Sequence, residues 1–287
     1  MTSIFTPALD TLHNQNNCLF GPMSFQHYLL QHQLGTAKTA QSISIDSLER
    51  LHPELRQNDT MVIRLGATTG GTNTQFALAK VQGRLKDFFL FDNALEHRSA
   101  TTFLPTVGFR QLYPYQLLAP YSETSLVNLG FASGLISTAL RLDESETLTI
   151  PATGQSTFTF RLRPHSLFDT VLDHNNGQVQ VDALFLGKRG NKEYLFVLEA
   201  KTRSADRSLA KHKLVYPILA LARQVPHDIP IIPVYLKVFH AVEGLIYHVV
   251  ECNFPNHRDH ICALDELQPV NYTALILPFF TFGMRPG

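Results

Sequence analysis

Two stretches, Gln178–Leu186 (QVQVDALFL) and Glu193–Thr202 (EYLFVLEAKT), decide how this chain is read. Both are rich in apolar, β-branched and aromatic residues, as strands are, and the intervening GKRGNK supplies a turn. The pair therefore reads as a β-hairpin. Asp182 sits inside the first strand among Val181, Ala183, Leu184 and Phe185, and Glu199 and Lys201 lie near the end of the second. Side chains alternate along a strand, so Glu199 and Lys201 share one face and Ala200 takes the other. Ionisable groups beside the apolar run YLFVL are costly unless something compensates them. Two carboxylates from neighbouring strands, a backbone carbonyl and water would form a hard oxygen site suited to Mg²⁺. The adjacent lysine would then position or activate water, or stabilise charge building on a phosphate.

Working outward, Ser208–Gln224 reads as a helix, with Leu214, Ile218, Leu221 and Val225 as its buried stripe and Pro217 as a kink or break. Ile229–Phe239 and Leu245–Cys252 read as buried strands, giving the order hairpin, helix, strand, strand.

This arrangement resembles the PD-(D/E)xK nuclease superfamily, most closely a type II restriction endonuclease. Its carriers are Asp182, sixteen intervening residues, Glu199-Ala200-Lys201, and the following helix with Lys213 and Tyr216. The resemblance covers roughly residues 165–252. It implies that Asp182 and Glu199 are metal ligands with the Ala200 carbonyl, that Lys201 is the catalytic lysine, and that Lys213 and Tyr216 support them. Its cofactor would be Mg²⁺, with Mn²⁺ as a substitute. There are departures. Val181 stands where the superfamily has proline, and Lys213 replaces the commoner glutamine. The upstream acid found in many members has only Glu144, Glu146, Asp169 and Asp173 as candidates.

The N-terminal half reads as mixed α+β. Residues 1–20 form a polar arm, and Met23–Leu34 a helix capped by Ser24. A short helix falls around Asp46–Arg50, and strands at Thr60–Leu65 and Phe76–Val81 flank the Gly/Thr-rich GATTGGTN turn. That turn lacks the Lys-Ser/Thr of a phosphate-binding loop. Residues 125–142 are helix-like. TLTIP and STFTFRL, separated by ATGQ, read as a hairpin, either of a winged-helix element near 125–163 or of a plain α+β connection. The expected fold is α/β (α+β): an N-terminal recognition region over 1–160, and a restriction-endonuclease-like core over 161–287, a mixed β-sheet flanked by helices.

The chain has 287 residues, 44% of them hydrophobic, which is enough for a real core. Its 24 Lys+Arg balance 24 Asp+Glu, which excludes binding of nucleic acid by bulk charge. Positive charge is local instead: residues 201–213 hold five basic residues to one acidic. Arg161, Arg163, Arg203, Arg207 and Lys211 are thus the candidate phosphate contacts. Cys252, His257, His260 and Cys262 are zinc-compatible types, but their spacing matches no common finger, and structural zinc is not expected. No long apolar run or signal peptide is visible, and the three cysteines are too scattered for a disulfide framework. A cytoplasmic protein is expected, with no membrane partner.

The functional expectation is a metal-dependent, sequence-specific double-strand DNA endonuclease of a restriction-modification system. It would act as a homodimer, because cutting both strands of a palindrome needs two sites, and a cognate DNA methyltransferase would act on the same sequence. The alternatives are a structure-specific repair, recombination or mobile-element nuclease of the same fold, or an inactive DNA-binding protein.

Overall fold

The computed structural model describes residues 3–68, 70–71, 73–117, 120–143, 150–255 and 257–279. The N-terminal part contains α1 (Thr6–Asn14), β1 (Leu19–Ser24), α2 (Phe25–Gln31), α3 (Thr39–Ile43), α4 (Pro53–Gln57), β2 (Thr60–Ala67) and β3 (Thr74–Lys80). The middle holds β4 (Phe89–Phe91), α5 (Asn93–Glu96), β5 (Thr101–Thr102), α6 (Phe109–Gln116), α7 (Glu123–Ala132) and α8 (Leu135–Ala139). The remainder is β6 (Ala152–Leu162), β7 (Leu172–Arg189), β8 (Lys192–Lys201), β9 (Ser208–Ala210), α9 (His212–Leu221), β10 (Ile231–His240), β11 (Gly244–Asn253) and β12 (Gln268–Pro278).

A seven-stranded mixed sheet, ordered β5-β12-β11-β10-β8-β7-β6, forms the centre. β8 and β10 run parallel, because α9 carries the chain across between them, and the hairpins β7–β8 and β10–β11 are antiparallel. One face packs Val197, Leu195 and Tyr235 against α9 and the small sheet β1-β3-β2. The other packs Phe185, Phe196, Leu198 and Leu236 against α7 and α8. Side chains alternating through a strand buried on both faces explain the near-continuous apolar runs of β8 and β10.

Local chemistry accounts for several element ends. The Ser24 side chain accepts a hydrogen bond from the His27 amide and caps α2, while Leu19–Ser24 ahead of it is extended. The helix expected over Met23–Leu34 is therefore shorter. Ser122 caps α7 through the Ser125 amide at 3.1 Å, and Gly134, at φ 80°, separates α7 from α8.

Two expectations are corrected, the turn at ATGQ and the helix start at Ser208. ATGQ is not a turn: it lies within β6, whose hairpin partner is β7, so no wing stands apart from the main sheet. TLTIP falls largely on residues 144–149, outside the described residues. The boundary expected at 160/161 falls inside β6, and one continuous core runs from Phe5 to Leu267. The helix expected from Ser208 starts at His212, because Ser208–Ala210 pairs as β9 with β4. Its partner lies more than a hundred residues upstream, beyond the reach of local periodicity.

Candidate active site

The β7–β8 ladder ends with Ala183 opposite Leu198, and Asp182 lies one step further, beside Glu199. A β-bulge aims it there. Between the pairs Val181–Gly154 and Leu184–Ala152, β7 carries one more residue than β6. The Asp182 Oδ2 accepts a hydrogen bond from the Ala200 amide at 2.9 Å. Glu199 is buried, and its Oε1 lies 3.0 Å from Lys201 Nζ and 3.2 Å from Lys213 Nζ. The strand end and the first turn of α9 thus deliver two ammonium groups to one carboxylate oxygen. Lys201 Nζ also lies 3.8 Å from Glu123 Oε2, and Lys213 Nζ 3.7 Å from Asp46 Oδ1.

Burial pushes the Glu199 carboxyl up to about 7; Lys213 and Lys201 oppose the shift and the Asp182 charge adds to it. For Lys201 and Lys213, burial alone would lower the ammonium, but Glu199 outweighs it with help from Glu123 and Asp46, so both are raised.

Sequence reasoning missed Asp46 and Glu123. The candidate upstream acids lie elsewhere: Asp169 and Asp173 are exposed, Asp173 opposite Arg161 near the start of β7, and Glu144 and Glu146 are outside the described residues. Asp46 is brought in because Ala210 of β9 donates its amide to the Asp46 carbonyl at 2.8 Å. No motif marks it. Beside it opens a cleft of about 410 Å³, lined by Asp46, Arg50, Tyr121, Glu123, Lys201 and Arg203.

A buried ion pair supports the floor of this cleft. Lys237 Nζ lies 2.9 Å from Asp92 Oδ2, and Tyr235 donates to Asp92 Oδ1 at 2.8 Å. Lys237 also donates to the Arg203 and Asp206 carbonyls at 2.8 and 2.6 Å, fixing the loop after Lys201. The Asp206 carboxylate receives Arg50 Nε at 3.1 Å.

The other predicted residues divide. Arg203 and Arg207 are exposed on this loop. Lys211 is not a phosphate contact: it is buried and donates to the Asp265 carbonyl at 3.1 Å, with its ammonium lowered by burial. Arg163 is engaged by Glu266 at 3.0 Å and the Ile261 carbonyl. Arg161 is exposed nine residues along the β7 ladder from Asp182, roughly 30 Å at the rise of a strand. The Tyr216 hydroxyl donates to the Arg64 carbonyl at 2.8 Å, and Phe160 and His174 pack on its ring. The Cys252 and Cys262 thiols both donate to backbone carbonyls, as does the His257 ring to Phe254.

Among the described residues, no group of three or more His, Cys, Asp or Glu is arranged to hold a metal ion. Mg²⁺ does not require one, since it is commonly held by one or two carboxylates with water and substrate phosphate completing six positions. The hydrogen bonds of these two carboxylates fall on Asp182 Oδ2 and Glu199 Oε1, so Asp182 Oδ1 and Glu199 Oε2 accept none among the described residues. Carboxylate oxygens are the donor type that such an ion takes. No described helix is long and apolar enough to cross a membrane.

Neither the curated proteins nor the solved structures give a match to this chain. A family match covers residues 86–273, or 188 of 287, counting both ends. It takes in Asp182, Glu199, Lys201, Lys213 and nearly all of the seven-stranded sheet, and leaves Asp46 and the small sheet outside. The chain belongs to the family described as Domain of unknown function (DUF6997).

Proposed function

We propose that this protein is a metal-dependent, sequence-specific double-strand DNA endonuclease of the restriction type, acting as a homodimer. One observation carries the reading: Asp182 and Glu199 converge at the end of the β7–β8 ladder, with Lys201 and Lys213 on the same Glu199 oxygen. An ordinary sheet gains little from burying a carboxylate between two lysines, because desolvation offsets most of the attraction. A site that must hold a cation and then a phosphodiester uses both charges.

Asp182 Oδ1, Glu199 Oε2 and the Ala200 carbonyl would hold Mg²⁺, which when bound supplies charge stabilisation to the phosphate. Lys201, retained as an ammonium by Glu199 and Glu123, would hold the attacking water or the developing phosphate charge. Arg50 and Arg203 at the cleft would hold the neighbouring phosphates. Lys213 positions Glu199 and favours its ionised form against the effect of burial.

The test is cleavage of plasmid and genomic DNA by purified protein in Mg²⁺, followed by mapping of the ends. Discrete ends sharing a sequence are expected, and Asp182→Ala and Lys201→Ala should bind DNA without cutting it. Equal cutting by these variants, or none by the wild type, overturns the reading.

A further inference from the structure

β6 is an edge strand of the main sheet, and its ribbon with β7 carries a face made of uncharged amides and hydroxyls. Gln155 stands opposite Gln180, and Thr157 opposite Gln178, and all four are exposed. Cross-strand partners project to the same side, so they form one patch. The alternate positions Val179, Val181 and Phe158 turn the other way, into the core beside α9.

The ribbon is held firmly for an edge. A β-bulge sits where Phe158 and Phe160 pair across Gly177 and His174, with Asn176 in the left-handed region at φ 44° and its amide bonded to Thr159 Oγ1 at 2.9 Å. β2 crosses so closely that a Cβ on Gly66 would lie 1.8 Å from the Asn175 carbonyl oxygen. Here a cavity of about 400 Å³ opens, lined by Arg64, Gln155, Thr157, Asn176 and Gln178 among others. A second cavity, of about 120 Å³, shares Arg64 and Gln178 with it and reaches Lys213 and Asp46, the residue that also lines the cleft beside Lys201. Asp46 is common to the cleft and the second cavity, and Arg64 and Gln178 are common to the second and third, so the three lie in sequence between the candidate active site and the ribbon.

We infer that the β6–β7 ribbon is the base-reading element of this protein, with Gln155, Gln178 and Gln180 contacting adenines in the major groove of duplex DNA; this rests on the nuclease reading above. A glutamine amide offers a donor and an acceptor together, which matches adenine N7 and N6 in bidentate fashion, and the major groove admits a two-stranded ribbon. Absence of charge suits the role, since neutral amides add little sequence-independent attraction to phosphate while glutamine pairs bidentately with adenine. Arg64, in the wall between ribbon and active site, is placed for the connecting phosphate. The ribbon spans 152–189, so base reading belongs to the main sheet rather than to a separate N-terminal region.

The test is selection of duplexes from a randomised DNA library by the full chain, with Ca²⁺ replacing Mg²⁺ so that strands stay intact. The wild type should enrich a motif containing A·T pairs. The triple variant Gln155→Ala, Gln178→Ala, Gln180→Ala should lose that motif. It should bind the enriched duplex at least about tenfold more weakly, and a scrambled duplex within about twofold, as expected for lost bidentate base contacts. An unchanged motif in the triple variant, or no motif from the wild type, overturns the inference. Unaltered thermal unfolding of the variant shows that these exposed substitutions spare the fold. If the wild type enriches a motif but does not cut that duplex in Mg²⁺, the nuclease reading fails and the ribbon assignment stands.

Discussion

Lys213 Nζ lies 3.2 Å from Glu199 Oε1, the same oxygen that Lys201 Nζ approaches at 3.0 Å. One lysine comes from the end of β8 and the other from the first turn of α9, so the contact joins an interior strand of the sheet to the helix that follows it. Two cations about a buried carboxylate leave the cluster with net positive charge before Asp182 is counted. Asp182 on the neighbouring strand, with Glu123 and Asp46 beside the lysines, offsets it.

Mg²⁺ binding should depend on the ionisation of Glu199. Burial holds its carboxyl near 7, so a cation must displace a proton below that pH. Calorimetric titration of the protein with Mg²⁺ should show affinity falling about tenfold per pH unit below 7 and levelling above it. Glu199→Gln should remove the dependence, and Lys213→Met, which deletes a neutralising charge, should move the midpoint upward. A flat profile in the wild type would exclude Glu199 as a ligand.

Lys237 and Asp92 are both buried, and they anchor the loop carrying Arg203 and Asp206. Removing one partner strands the other's charge. Asp92→Leu or Lys237→Met alone should cost about 3–5 kcal/mol of stability, and the double substitution less than the sum. Urea unfolding of the three variants measures this directly; additive losses would show that the pair is not coupled.

Gly66→Ala should destabilise the protein by about 1–3 kcal/mol, because the new methyl meets backbone of β7 rather than a movable side chain. Gly70→Ala, where a Cβ meets nothing within 4 Å but φ is 71°, should show only the smaller cost of backbone strain. Thermal melts that rank the two in the reverse order would contradict the packing of β2 on β7.

Acid should weaken the fold through two buried histidines. Burial lowers His174 and His248 to about 4, so the unfolded chain takes up protons near 6.5 that the folded chain refuses. Their contribution is complete above about pH 6.5 and is lost as pH falls toward 4. Glu199 has the opposite sign: its raised pKa makes the fold less stable as pH rises from about 4.5 to about 7. Unfolding free energies from pH 7 to 4 should therefore be less steep for His248→Gln than for the wild type, and equal slopes would remove that residue from the account.

Strand alternation and apolar runs made β2, β3, β8, β10 and β11 legible within a few residues, because burial on one or both faces writes itself into local sequence. The placement of Asp182 beside Glu199 was legible for the same reason: a hairpin's register follows from its turn. β9 was misread as helix, since its stability comes from β4. Lys211 looked like an exposed cation by composition and is buried against Asp265 instead.

The sequence by itself determined the β7–β8 hairpin, the carboxylates at its end, the strands β10 and β11 that follow, and the excess of local positive charge. Only the tertiary structure decided that Asp46, Glu123 and the Asp92–Lys237 pair surround the site, and that Arg163 and Lys211 are spent on internal contacts. It also decided that the ribbon from Ala152 sets Gln155, Thr157, Gln178 and Gln180 side by side on one exposed face. Short-range contacts are fixed by the order of neighbouring residues. These long-range ones depend on which surfaces meet after the sheet is built, and no local pattern encodes that meeting.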